Sequence, residues 1–245
     1  MVGAMNAIAG GGTLVAFPML LTTGMSALAA NATSNIVVLP GNLSSAYGYR
    51  KKLRKVPRKY ILLLVPAIVG AAIGATVLRH TSSRDFENII PGLILFAVAL
   101  FAFQPFLYKQ LQRYLVGPKR VHNKIKLPLP LGLALLPLTI YGGYFGAGLG
   151  FILLAFLGFT GLHEHIHRIN ALKNVLAVCV NLVSIICLFS AHLIDWRHGL
   201  IMAGGNLVGG YAGAVGAQKV SSDVLRVIVI VIGVSTAAYL GLRSY

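Results

Sequence analysis

Two glycine-rich stretches dominate the chemistry that this sequence can offer. One is Gly10-Gly11-Gly12, followed by Pro18; the other is Tyr141-Gly-Gly-Tyr-Phe-Gly-Ala-Gly-Leu-Gly150, with five glycines in ten residues. Both lie inside apolar runs, and glycine at that density marks a break in a helix. In hydrocarbon every backbone N–H and C=O needs a partner, so such a break is tolerated only where protein or a wet cavity supplies one. A half-helix that restarts after glycines presents bare N–H groups at its N-terminus, where the helix dipole favours an anion. Gly10, Gly11 and Gly12 with Gly148 and Gly150 are therefore candidate ligands of a small anion, the two breaks facing each other across a pseudo-two-fold axis. The competing role is close helix packing, which is what the spacings Gly70-xxx-Gly74 and Gly205-xxx-Gly209-xxx-Gly213 predict.

A second group of candidates is polar. Asn31, Thr33, Ser34, Asn35 and Asn42 lie in one apolar stretch, and Asn170, Lys173, Asn174 and Asn181 in another. Positions 31, 35 and 42 share one helical face. Interhelical hydrogen bonding is the alternative role for these amides. Lys173 differs, because an ammonium one turn inside an apolar span either snorkels to the interface or meets an anion. Asn31, Thr33, Asn35, Asn170, Lys173 and Asn174 complete the candidate substrate site.

The elements that must position these residues are membrane helices. Of the 245 residues, 57% are hydrophobic and 11% charged, less than half the charge that a soluble domain needs to cover its surface. Apolar segments run over 3–22, 30–49, 60–78, 89–108, 127–158, 170–190, 199–217 and 224–242, about eight membrane elements. The fold class expected is all-α and polytopic. The segment from Leu127 to Gly158 would reach about 48 Å as one helix, so it must tilt, break or double back. The formal charge of +16 resides in short loops, where it sets topology and does not indicate nucleic acid. Cys179 and Cys187 are about 12 Å apart on one helix, too far for a disulfide.

Sliding the sequence by 139 residues matches Gly11 with Gly150, Asn31-Ala32 with Asn170-Ala171, Asn35 with Asn174, Asn42 with Asn181, Ser45 with Ser184 and Ser82-Ser83 with Ser221-Ser222. Apolar composition does not produce asparagine and serine pairs in register, so two homologous halves are expected: 1–108, a basic linker 109–126, and 127–245. The loop after the second element carries Arg50, Lys51, Lys52, Arg54, Lys55, Arg58 and Lys59, while its counterpart Ala191 to His198 has only Arg197 balanced by Asp195. The first loop is then cytoplasmic and its counterpart outside, which implies inverted repeats whose broken segments are re-entrant hairpins. Parallel repeats of four full spans each are the alternative. The chain opens on Met1-Val2-Gly3, with no room for a partner like Leu127 to Ile140; a shortened first repeat is expected, a misplaced start being the alternative. No signal-peptide pattern is visible.

Enzymatic chemistry finds no support. All five acids, Asp85, Glu87, Glu164, Asp195 and Asp223, fall in loops, so no carboxylate proton relay crosses the bilayer. The run His163-Glu-His-Ile-His167 does not converge on one helix face, and no metal or cofactor is expected. No nucleophile elbow or phosphate loop is present, and the lone Trp196 reads as an interfacial anchor.

The stretch Asn6-Ala-Ile-Ala-Gly-Gly-Gly-Thr-Leu-Val15, then Pro18 and Asn31-Ala-Thr-Ser-Asn35, resembles the first-repeat signature of the sulfite exporter TauE/SafE-like family, also called the toluenesulfonate uptake permease family. Gly142 to Gly150, Asn170-Ala-Leu-Lys-Asn174 and Asp195-Trp196 resemble its second repeat. The resemblance covers nearly the whole chain. Leu149 interrupts the second glycine run, and Leu172 stands where many members have threonine. The resemblance implies a multi-pass secondary transporter of the plasma membrane that moves sulfite, organosulfonates or related small anions. Its partners would be the anion and the lipid bilayer, with self-association left open. A transport-inactive or regulatory membrane protein derived from the family is the alternative.

Overall fold

The computed structural model describes residues 12–116, 129–158, 166–216 and 222–243. Residues 1–11, on which the first glycine break and the shortened first repeat rest, lie outside these, as do Gly10 and Gly11 themselves and most of the His163 to His167 run.

Regular structure among the described residues is all helical. It comprises α1 (Gly12–Leu21), α2 (Ala27–Gly48), α3 (Arg50–Leu53), a 3-10 turn (Arg58–Leu63), α4 (Leu64–His80), α5 (Ser83–Val116), α6 (Leu129–Tyr144), α7 (Leu149–Gly158), α8 (Ile166–Phe189), α9 (Trp196–Gly216) and α10 (Ser222–Arg243). The helical stretches Arg58–His80 and Arg168–Phe189 are long and apolar enough to cross a bilayer. The described parts of α1 and α7 are apolar, ten residues each.

Local chemistry sets the helix starts. Ser26 caps α2, its hydroxyl accepting from the N–H of Ala29 at 3.3 Å. Ser82 caps α5 by accepting from the N–H of Asp85 at 3.1 Å and donating to its carboxylate at 2.6 Å, which pairs one of the N–H groups free at a helix start. α5 runs past the expected end at residue 108 into the basic stretch. Between Tyr108 and Val116 the sequence has no breaker, and Gly117-Pro118 is the first strong one.

Hydrogen bonds and close approaches fix the helix directions. α4 and α6 run side by side in the same sense: Gly132 lies against Pro66, Gly70 against Leu136 and Thr139, and Gly74 against Ile140 and Tyr144. Arg79, at the end of α4, donates to Ser190 just beyond α8 at 3.1 Å, so α4 and α8 end together. Thr33, in the second turn of α2, accepts from the N–H of Asp195 between α8 and α9 at 3.0 Å. α2 thus starts where α8 ends, and the two pack antiparallel. Packing is reciprocal: α4 lies on α8, α9 lies on α2, and α5 and α10 lie on each other.

Candidate functional site

The long apolar segment breaks where the glycines predict. α6 stops at Tyr144 and α7 restarts at Leu149, with Gly146 at φ +72° and Gly148 at φ +75°. A Cβ disfavours that backbone region, so glycine is required there. The chain doubles back: Gly142 packs against Leu149 and Val180, and α7 returns toward the start of α8 with Leu153 and Leu157 in one buried cluster with Ile169 and Leu172.

A helix end inside an apolar bundle leaves carbonyls without partners, and side chains supply them here. The Asn31 amide donates to the carbonyl of Tyr144 at 2.8 Å. The Tyr141 hydroxyl spans the break to the carbonyl of Ala147 at 2.6 Å. The N–H groups of Phe145 and Gly146 both turn to the Tyr141 carbonyl, and that of Phe151 turns to Gly148. Aromatic rings close around the break: Phe17 of α1 meets Phe145 edge-on at 5.9 Å, and Phe86 and Phe96 of α5 meet Tyr144 and Tyr141.

The polar residues of α2 and α8 divide by what they bond. Asn31 sits at the break, and its carbonyl oxygen Oδ1 is buried with no partner among the described residues. Thr33 is fully buried but holds the start of α9 through Asp195. Asn35 donates to the carbonyls of Asn31 and Ala32 in its own helix, and Ser34 bonds Asn31 likewise. On α8, Asn174 and Asn181 are buried, while Asn170 and Lys173 are half-buried. The described carboxylates, Asp85, Glu87 and Asp195, include none within ion-pair distance of Lys173. Gly12 is buried in α1, a Cβ on Gly148 would lie 3.8 Å from Ala97 of α5, and Gly150 is half-buried in the first turn of α7. The structure thus brings Asn31, Gly148 and Gly150 to one break, with α8 packed on both α2 and α7. It gives Thr33 and Asn35 bonds elsewhere.

A family model described as sulfite exporter TauE/SafE matches residues 1–240. This chain belongs to that family. It is 28% identical to a probable membrane transporter protein of Haemophilus influenzae over 92% of this chain and 85% of the relative. Identity is 25% to the probable membrane transporter protein ORF9 of a Sinorhizobium species, over 96% and 86% of the two chains. It is 24% to the probable membrane transporter protein YfcA of Escherichia coli K12, over 97% and 85%. No solved structure matches significantly. As a TauE/SafE member the protein is a membrane transporter.

Three features of this TauE/SafE protein escape sequence reasoning. Tyr141 was visible only as the frame of a glycine run, yet its hydroxyl ties the break together. Asn206, a lone amide in apolar α9, donates to the carbonyl of Val37 and clamps α9 to α2; its isolation was the available signal. Asp195 caps α9, accepting from the N–H of His198 at 3.0 Å and bonding its ring at 2.9 Å. The backbone N–H of His198, then its ring, holds the Asp195 carboxyl below its usual range.

Asn31→Ala is expected to destabilise the protein by about 1–3 kcal/mol, because it leaves the Tyr144 carbonyl buried and unpaired. Asn35→Ala removes only bonds within its own helix and should cost less. Thermal unfolding in detergent compares the two, and equal effects would show that Asn31 does not support the break.

Proposed function

We propose that this transporter carries a small oxyanion or sulfonate, such as sulfite or an organosulfonate, across the plasma membrane by alternating access. The anion binds at the start of α7, where Gly148 and Gly150 leave backbone N–H groups open to approach. The polar faces of α2 and α8 flank it, and the Gly10 to Gly12 segment supplies the other half. One observation carries the reading: Lys173 is half-buried on an apolar, membrane-length helix with no described carboxylate to pair it. An ammonium so placed is stabilised by an anion that comes and goes. Uptake of labelled sulfite into proteoliposomes tests this directly; empty and loaded vesicles that accumulate label equally would refute it.

We further read the chain as two inverted repeats, 1–108 and 127–245, joined by a cytoplasmic basic linker 109–126. The antiparallel packing of α2 on α8 and the reciprocal packing of α4 on α8 and α9 on α2 support that reading. Each broken segment would then enter and leave on one side, giving each repeat an odd number of crossings. With Cys179 and Cys187 replaced, a cysteine at Lys52 should be shielded from an impermeant thiol reagent added outside and one at Ser190 labelled. Labelling at neither position would favour parallel repeats.

A further inference from the structure

The turn joining α2 to α4 combines two features that the transport reading does not use. Between Arg50 and Lys59 seven of ten residues are cations, and every one is exposed. The turn is also firmly seated. Val56, Tyr60 and Leu63 are buried in the cluster that holds Ile169 and Leu172 of α8, and α3 packs on α8. The Arg50 guanidinium lies 4.1 Å over the ring of Tyr47 and donates to the Tyr47 carbonyl at 3.0 Å. The described carboxylates do not neutralise it. Asp85 and Glu87 follow the far end of α4, and Asp195 lies beside Thr33 at that same far end.

Immediately after the cations the exposed surface turns apolar. Ile61 is 54%, Leu62 52% and Val65 60% exposed, and Ile68 and Val69 continue the stripe up α4. In the 3-10 turn Lys59 and Leu62 are separated by only about 6 Å along the axis, the offset between a lipid phosphate and the top of its acyl chains. A fixed cationic ledge above an apolar wall matches one molecule in both respects. We infer that this turn is a docking surface for anionic phospholipid, its phosphate on Lys59 and the exposed cations Lys51, Lys52, Arg54 and Lys55 that precede it, and its chains along Leu62, Val65 and Val69. This role is independent of which substrate is carried.

The test compares the purified protein in nanodiscs of phosphatidylcholine alone and of phosphatidylcholine mixed with phosphatidylglycerol. The anionic lipid should raise the unfolding midpoint by several degrees and remain bound through purification, and high salt should weaken both effects. The combined change Lys51→Gln, Lys52→Gln, Arg54→Gln, Lys55→Gln should lower retained phosphatidylglycerol roughly tenfold or more. Lys51→Arg, Lys52→Arg, Lys55→Arg should retain it, and single Lys52→Gln or Lys55→Gln changes should give partial losses if the fourfold variant fails to fold. Equal midpoints for wild type in the two lipids would overturn the inference. So would unchanged lipid retention in the glutamine variants, or an equal rise produced by inorganic phosphate in detergent, which would make the turn a free-phosphate site.

Discussion

Replacing Gly74 by valine should unfold the protein more readily than any other single change at an apolar position considered above. A Cβ at Gly74 would run into the carbonyl of Ile140 and lie 2.8 Å from the N of Tyr144. Both are backbone atoms of α6, which cannot move aside as a flexible side chain can. Two neighbouring sites share the constraint: Gly143 lies against the backbone of Ala71, and Gly70 against Thr139. Separating α4 from α6 to admit a branched side chain would forfeit that whole contact, a cost of about 3 kcal/mol or more. For a chain of this size that corresponds to a fall of roughly 10 °C in unfolding midpoint. Gly205→Val is the control. No described residue lies within 4 Å of a Cβ at Gly205, which is exposed, so the described helices give no support there to the packing role that its spacing predicts, and the midpoint should barely move. Like effects at Gly74 and Gly205 would contradict the close approach of α4 and α6.

Lys173→Met should weaken binding of the transported anion by more than tenfold, the equivalent of about 1.4 kcal/mol. Expression should be unchanged and thermal stability equal or higher, because a half-buried ammonium with no described carboxylate beside it is costly in an apolar span. Lys173→Arg keeps the charge and should retain most of the affinity. Isothermal titration, or a scintillation proximity assay with labelled sulfite, reads the affinity of the wild type and both variants, and thermal unfolding in detergent reads their stability. Wild-type affinity in the methionine variant would leave Lys173 a snorkelling side chain and move the anion site elsewhere.

The contrast between Gly74 and Gly205 shows where sequence reasoning stops. Both lie in small-residue spacings on apolar helices and read identically from composition. Only the position of α6 separates them, since it lies along α4 and gives Gly74 a backbone neighbour. The broken helix was legible because its cause is local: five glycines in ten residues cannot hold a helix together, whatever surrounds them. The extension of α5 past residue 108 was not, because a basic stretch without glycine or proline stays helical through Val116.

By itself, then, the sequence determined the all-helical class, the place of the break at Tyr144 to Leu149 and the family, through glycine density, apolar run length and paired motifs. Tertiary structure decided which polar groups are committed and which remain free. Asn31 finds Tyr144 113 residues away, Thr33 finds Asp195 162 away, and Asn206 finds Val37 169 away. Asn31, Thr33 and Asn35 look alike on one helix, but they bond a broken helix, a helix cap and their own backbone in turn. Long-range hydrogen-bond partners are chosen by which backbone N–H or carbonyl the fold brings within about 3 Å, and that distance is set by the packing of helices far apart in the chain, not by spacing within one of them.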